Sequence, residues 1–222
     1  WREIGSLSVG DKVVDPDGGV AEVTGVFPRG SREVFRVTMT DGSFTECCDE
    51  HLWMTQTTKQ RMDGTSDVRQ LSEFRHDLHR KYPGKAWRLT RYFIPLTQPV
   101  KFDPVGEQPL NAYLLGVLIG DGSLLGSSVR ITKPDEEIFD RLRTLLPHGS
   151  HLQRSSYDAN TWNLVGTSQR NPVLEALREL GLQGRKSTSK FIPLSYRRAS
   201  PADRLLLLQG LMDTDGDASS SG

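Results

Sequence analysis

Two segments of the sequence share a pattern that would bring a pair of carboxylates together. Residues 114–122 read LLGVLIGDG and residues 208–216 read LQGLMDTDG, 94 positions later. Each segment is apolar, carries a glycine in its middle and ends in Asp-Gly, at Asp121 and Asp215. Glycine inside a helix costs about 1 kcal/mol, so it usually has a packing reason. The pattern therefore predicts two helices that pack through their glycines and place Asp121 beside Asp215.

Two acids at helix ends need a positive partner. The C-terminal end of a helix carries about half a negative charge, and neighbouring carboxylates repel each other. A divalent cation would relieve both, and Mg²⁺ favours one or two carboxylates together with phosphate oxygens and water. We therefore predict an Mg²⁺ site at Asp121 and Asp215 that suits phosphodiester hydrolysis. The alternative is that Asp-Gly simply ends each helix, with the glycine in the left-handed position.

The elements that would position these acids form an alternating α+β pattern. Apolar spacing and capping residues predict helices over residues 110–121, from Pro134, from Pro172 to Gly181, and from Pro201 to Asp215. Short runs with turn residues between them predict strands over residues 123–125, 128–132, 151–156 and 161–165. The predicted order is helix-strand-strand-helix-strand-strand-helix, followed by the helix that ends at Asp215.

The first 55 residues instead predict a compact all-β unit. Runs rich in Val, Thr and Phe alternate with turn sequences, and they cover residues 12–14, 20–27, 33–40 and 44–55. A polar stretch follows, in which apolar spacing predicts one helix over residues 67–80. Four prolines between positions 95 and 109 then indicate a linker.

Composition excludes several classes of protein. The 222 residues include 28 basic and 28 acidic side chains and are 36% hydrophobic, which is enough for a core. No apolar run approaches the roughly 20 residues of a membrane span. The two cysteines, Cys47 and Cys48, are adjacent, which excludes a disulfide framework and favours a cytoplasmic protein. Residues 123–204 carry 13 Lys or Arg against 8 Asp or Glu, so this part could meet a polyanion.

The paired segments resemble the two LAGLIDADG motifs of homing endonucleases, and both keep the acid at the eighth position. The element order between them resembles that family's half-domain, whose strands form a saddle over DNA. Lys190, in a Lys-x-Ile-Pro sequence 25 residues before Asp215, resembles a catalytic-site lysine of intein endonucleases. The resemblance implies Mg²⁺-dependent cleavage of both strands of a long asymmetric DNA site, with Asp121, Asp215 and Lys190 as catalytic residues.

A DNA saddle implies basic side chains that contact phosphates. We expect these contacts from seven basic residues on and near the strands: Arg130, Lys133, Arg154, Arg185, Lys186, Arg197 and Arg198. We expect the chain to act as a monomer.

Residues 48–51 resemble block B of the Hint domain, the self-splicing fold of inteins, which normally reads Thr-x-x-His. The resemblance implies that His51 polarises a scissile peptide bond for an acyl shift, with Cys48 in the place of the threonine. A thiol is a weaker hydrogen-bond partner than a hydroxyl. Two alternatives involve a metal ion instead. One is a metal cluster around Asp49 and Glu50, beside His51, and the other is a pair of metal ligands at His76 and His79.

The sequence thus predicts a two-part chain. Residues 1–100 would be a partial, all-β Hint-like splicing domain with a polar, partly helical insertion and a proline-rich linker. Residues 109–222 would be the α+β first half of a LAGLIDADG endonuclease plus the helix that starts a second, pseudo-symmetric half. The expected partners are double-stranded DNA and, in cis, the exteins of a host protein, with no membrane. The alternative is a splicing or DNA-binding module with an inactive nuclease. We also expect both ends to be incomplete, and the 222-residue chain itself to be inactive.

Overall fold

A computed structural model describes residues 2–81 and 88–216 of the chain. The chain divides into two compact units, Trp1–Gln98 and Pro99–Gly222. The amino-terminal unit is built mainly from short strands. The carboxy-terminal unit is a four-stranded sheet with helices, and it contains both Asp-Gly segments.

The amino-terminal unit contains four antiparallel two-stranded ladders. They pair β1 (Lys12–Val14) with β2 (Val20–Glu22), β3 (Phe35–Thr38) with β4 (Phe44–Cys47), β5 (Leu52–Thr55) with β6 (Asp67–Gln70), and β7 (His79–Lys81) with β8 (Arg88–Thr90). Two short helices, α1 (Thr58–Asp63) and α2 (Leu71–Phe74), and a 3-10 turn, Ile4–Ser6, complete the unit. The small core contains the buried side chains of Trp53, Leu71 and Phe74.

The prediction of a single helix over residues 67–80 is wrong. Its first four residues form β6, which pairs with β5 in the register Leu52↔Gln70 to Thr55↔Asp67. Only Leu71–Phe74 are helical. Of the four apolar residues with helical spacing, Leu71 and Phe74 are buried, whereas Val68 and Leu78 are exposed. The backbone groups of β5 take their partners from this segment, so strand pairing overrides the local pattern. The predicted strand over residues 44–55 is likewise divided, by a turn at residues 48–51.

The carboxy-terminal unit has the predicted alternation of helices and strands. Its elements are α3 (Ala112–Gly120), β9 (Gly122–Ser123), β10 (Val129–Thr132), α4 (Glu136–Leu145), β11 (Ser150–Arg154), β12 (Thr161–Gly166), α5 (Pro172–Glu179), a 3-10 turn (Ser187–Ser189), α6 (Leu194–Arg197) and α7 (Pro201–Asp215). Side-chain oxygens of Asn111, Asn171 and Ser200 cap α3, α5 and α7. The predicted helices and strands of this unit are confirmed to within a few residues at each end, whereas α6 and the 3-10 turn were not predicted.

The four strands form one antiparallel sheet in the order β11-β12-β10-β9. Val129 and Ile131 of β10 and Leu164 of β12 are buried on one face, where they pack with helix residues such as Phe139 and Leu177. Residues that alternate with them, such as Arg130 and Thr132, are exposed on the other face. The sheet therefore has one face in the core and one face in solvent.

The hydroxyl of Tyr196 forms hydrogen bonds with both backbone groups of Leu110, just before α3. It donates to the carbonyl of Leu110 at 2.7 Å and accepts from the N–H of Leu110 at 2.9 Å, and Tyr196 is fully buried. We expect Tyr196→Phe to lower the free energy of unfolding by about 2 kcal/mol, because both backbone groups lose their partner in a buried place. Urea denaturation of both proteins at pH 7 measures this difference.

The same tyrosine makes stability depend on alkaline pH. Burial raises the pKa of Tyr196 to about 12, whereas an unfolded tyrosine ionises near pH 10. Between about pH 10 and 12 the folded state therefore binds more protons than the unfolded state, and stability falls as the pH rises. We expect the stability of Tyr196→Phe to fall less steeply over this window. Equal slopes for the two proteins would contradict this role.

Candidate functional site

Helices α3 and α7 approach each other closely through their glycines. A Cβ added to Gly116 would lie 2.3 Å from the carbonyl oxygen of Leu207, and one added to Gly210 would lie 2.3 Å from that of Tyr113. One turn further along, a Cβ on Gly120 would lie 2.0 Å from the hydroxyl of Thr214. The two helices thus run side by side in the same direction, at a separation that a larger side chain at these glycines would prevent.

This packing brings the two acids to the same end of the helix pair. Asp121 is the C-terminal cap of α3, where its N–H donates to the carbonyl of Val117, and Asp215 is the last residue of α7. The Oδ2 atom of Asp215 lies 3.5 Å from the point where a Cβ on Gly120 would be. Asp121 is partly buried and Asp215 is exposed.

The glycine after each acid does not take the left-handed conformation that the alternative interpretation requires. Neither Gly122 nor Gly216 has a positive φ, and the φ of Gly216 is −70°. A Cβ at Gly122 would lie 2.4 Å from the carbonyl oxygen of Leu118, and one at Gly216 would lie 2.2 Å from that of Met212. In both segments the glycine lets the chain leave the helix close against its last turn.

Lys190 caps the C-terminal end of α3. Its Nζ donates to the carbonyl oxygens of Leu118, Ile119 and Gly120 at 3.1, 2.8 and 3.1 Å. These are carbonyls that have no partner within the helix, and the three bonds use all three protons of the ammonium. Burial lowers the pKa of Lys190, while the charges of Asp215 and Asp121 oppose that shift. Lys190 therefore lies near both acids, and its direct contact with a substrate stays a prediction.

Lys133 caps the C-terminal end of α7, as Lys190 caps that of α3. Its Nζ donates to the carbonyl oxygen of Thr214 at 2.6 Å and lies 3.1 Å from Oδ2 of Asp121. The sequence assigned Lys133 to DNA contacts, with no signal for this ion pair. The β9–β10 hairpin carries the lysine back to the helix ends, 12 residues after Asp121.

The side chains at this end fit a divalent cation that prefers oxygen ligands. Two carboxylates lie at one place, next to helix carbonyls that add partial negative charge. Two lysines offset this negative charge in the structure. Asp121 and Asp215 are the residues that would hold Mg²⁺.

Replacing Lys190 by Met should lower the free energy of unfolding by about 2 kcal/mol. The half-buried ammonium makes charge-assisted hydrogen bonds to three helix carbonyls, and methionine leaves these carbonyls without a partner. Urea denaturation measures the change. The control is Lys186→Met, an exposed lysine four residues earlier, which should change stability by less than about 0.5 kcal/mol. Equal effects of the two substitutions would contradict the capping role.

The solvent face of the sheet gathers polar side chains in register. Arg130 of β10 lies opposite Ser123 of β9 on one side and Asn163 of β12 on the other, and Asn163 lies opposite Gln153 of β11. The sequence pattern indicated Arg130 as a DNA contact but neither Asn163 nor Gln153. Their signal is strand alternation, because Asn163 stands between the buried Trp162 and Leu164.

The other predicted DNA contacts are divided between several places. Arg154 shares the strand face of Leu152, pairs with Glu136 of α4 and stacks over Trp162, so it lies on the helix-covered side of the sheet. Arg185 and Arg198 stack on Phe191 and Phe102. Lys186 and Arg197 are exposed. The structure therefore does not bring these side chains together with Arg130, and their contacts with DNA stay predictions.

His51 and Cys48 occupy a turn of the amino-terminal unit. The N–H of His51 donates to the carbonyl of Cys48 at 3.1 Å, and the imidazole packs edge-on against Trp53 with 5.6 Å between ring centres. His51 is exposed, just before β5, and Cys48 is partly buried. The arrangement leaves the imidazole accessible to a peptide segment.

The metal alternatives in this unit find no support in the residues that the structure describes. These residues contain no group of three or more His, Cys, Asp or Glu side chains placed to hold a metal ion. His76 and His79 do not share a helix, since His79 lies in β7. Among residues 2–81 and 88–216, no helix has the length and apolar character needed to cross a bilayer.

Comparison with known proteins adds one relative. No protein-family model matches the sequence. The chain is 26% identical over 238 aligned residues to a protein of Mycobacterium intracellulare named replicative DNA helicase DnaB. The match covers 100% of this chain and 36% of that protein, so the chain spans about a third of the length of the curated relative that it resembles.

Proposed function

We propose that this chain is part of an intein, which carries a splicing region and a Mg²⁺-dependent homing endonuclease that cuts both strands of a specific DNA site. The observation that carries the proposal is the glycine-mediated packing of α3 against α7, which brings Asp121 and Asp215 to one end of the helix pair. Three glycines inside helices lower helix stability, and two neighbouring carboxylates repel each other. A function explains this arrangement better than stability alone.

In the proposed nuclease each residue at the helix ends has a distinct task. Asp121 and Asp215 together would hold the cation and, with it, the water that attacks the phosphate. Lys190 keeps the end of α3 in place and supplies positive charge beside the acids. Mg²⁺, when bound, would lower the pKa of that water and stabilise the leaving oxygen.

The solvent face of the sheet is the proposed DNA surface. Arg130 provides a charge for phosphate, and Asn163 and Gln153 provide amide groups that can both donate to and accept from base edges. They lie in one row across neighbouring strands, so a single groove of DNA could contact all three. Phosphate contacts would make the affinity fall steeply with salt concentration.

The splicing part of the proposal rests on the turn of residues 48–51. His51 is exposed and held at its backbone by Cys48, so its imidazole can approach a scissile peptide bond. An intein lies within the chain of a host protein. A match of the whole chain to about a third of a longer helicase fits such an arrangement.

The test uses the complete natural reading frame that contains this sequence, expressed between two neutral flanking proteins. A gel should show a spliced product, and His51→Ala should reduce its formation by at least about a hundred-fold. The same protein should cut DNA that spans the insertion site without the intein-coding sequence, and only when Mg²⁺ is present. A folded protein that neither splices nor cuts would refute the proposal.

A second candidate is a splicing or DNA-binding module whose nuclease is inactive. The observation that favours it is the ion pair between Lys133 and Asp121, which engages one of the two proposed ligands. Splicing without any Mg²⁺-dependent cutting would support this candidate. Cutting that Asp121→Asn abolishes would refute it.

A further inference from the structure

One ammonium group touches both helix ends at the paired acids. Nζ of Lys133 lies 3.1 Å from Oδ2 of Asp121, at the end of α3, and donates at 2.6 Å to the carbonyl oxygen of Thr214, at the end of α7. The side chain of Lys133 is only 19% exposed. The charge is therefore enclosed between the two helices rather than directed into solvent.

The fold fixes the backbone of Lys133, and this places its side chain within reach of Asp121 and Thr214. The lysine follows β10, the inner strand between β9 and β12, and its N–H donates to the carbonyl of Asn160 at 2.9 Å. Pro134 follows it and restricts its backbone to extended conformations.

The two oxygens that Lys133 binds are also suitable ligands for a divalent cation. A carboxylate and an unpaired helix carbonyl attract any positive charge, and an ammonium is a point charge with three donors. A metal ion on the carboxylate of Asp121 would share this group with Lys133, and the two cations repel each other at this range.

We propose that Lys133 is a built-in counter-ion, which holds the ends of α3 and α7 together without metal and competes with a divalent cation for Asp121. Lys133 then sets the threshold of cation concentration at which the site fills. This inference rests on the proposed function in one respect, the metal site at Asp121 and Asp215. It assigns to Lys133 a positioning role in place of a DNA contact.

Removal of the ammonium should have two effects of opposite sign. Lys133→Met keeps the length of the side chain and removes its charge, so cation affinity should rise by about tenfold because competition and repulsion disappear. Without metal the same variant should melt at a lower temperature, because Asp121 and the carbonyl of Thr214 lose their partner. A purely structural lysine would show only the second effect.

The experiment titrates the 222-residue chain with Mn²⁺ and follows free Mn²⁺ by electron paramagnetic resonance, without DNA. The control is Lys101→Met, which removes an exposed charge elsewhere in the same unit and should leave the affinity unchanged. The double variant Asp121→Asn, Asp215→Asn gives the level of Mn²⁺ binding that is expected when the paired carboxylates are absent. Tighter binding by Lys133→Met than by both wild type and Lys101→Met supports the inference.

Equal or weaker binding by Lys133→Met overturns the inference and leaves the proposed metal site intact. If wild type and Lys133→Met both match the double Asp variant, the metal site fails as well, together with this part of the proposed function. Should Lys133→Met not fold, Lys133→Gln is judged by the same criteria, because its amide can still donate to the carbonyl of Thr214 without a charge.

Discussion

Replacing either Asp121 or Asp215 by Asn should reduce the rate of DNA cleavage by the complete protein by at least about a thousand-fold. The amide has the size of the carboxylate but lacks its charge, so the site loses half of the negative charge that holds the cation. Metal ions contribute several kcal/mol to such reactions, and about 4 kcal/mol corresponds to a factor of a thousand. Cleavage of a labelled duplex at saturating Mg²⁺ measures the rate.

The matched control for these variants is Asp213→Asn. Asp213 is on the same helix, two residues before Asp215, but its carboxylate accepts a hydrogen bond at 2.6 Å from the hydroxyl of Tyr113, in the first turn of α3. We expect its cleavage rate to stay within about threefold of wild type, and splicing to continue in all three variants. An Asp121→Asn protein that cuts as fast as Asp213→Asn would contradict the assigned role.

Replacing Gly116 or Gly210 by Ala should lower the free energy of unfolding by about 3 kcal/mol. A methyl group at either position would lie 2.3 Å from a backbone carbonyl oxygen of the other helix, which cannot move aside as a flexible side chain can. Overpacking costs about 1–3 kcal/mol or more, against a gain of about 1 kcal/mol in helix propensity. Urea denaturation followed by circular dichroism measures the loss.

The separation of α3 and α7 links this stability effect to the site. Gly116→Ala should also weaken Mn²⁺ binding, because it moves Asp121 away from Asp215. Gly5→Ala is the control, since a Cβ there would meet nothing within 4 Å, and it should change stability by less than about 1 kcal/mol. Similar losses for Gly5→Ala and Gly116→Ala would show that glycine packing does not hold the pair together.

The sequence predicted the acids better than the groups that surround them. Helix α3 was predictable because its apolar run begins after Asn111 and ends at an Asp-Gly step, and the glycine spacing predicted its partner. The bonds of Lys133 were not predictable, because the bond to Thr214 joins residues 81 positions apart and both bonds depend on a hairpin whose direction no local pattern encodes. The face of Arg154 was predictable, since it shares the parity of Leu152 in β11.

The amino-terminal unit was harder to predict from its sequence. Leu71 and Phe74 have helical spacing and are buried, yet the residues before them pair as a strand with β5. Strand β6 is fixed by its pairing with β5, on the other side of α1, so local periodicity does not decide between helix and strand. The position of His51 next to Trp53, by contrast, follows directly from the strand that begins at Leu52.

Affinity cleavage by iron tests most directly whether Asp121 and Asp215 hold one cation between them. The 222-residue chain is incubated with Fe²⁺ in place of Mg²⁺, and ascorbate and peroxide then generate radicals that cut the backbone near the bound ion. We predict cuts within a few residues of both Asp121 and Asp215, suppressed by excess Mg²⁺ and absent from the double Asn variant. Cuts near only one of the two acids, or the same cuts in the double variant, would contradict a shared site at the paired helix ends.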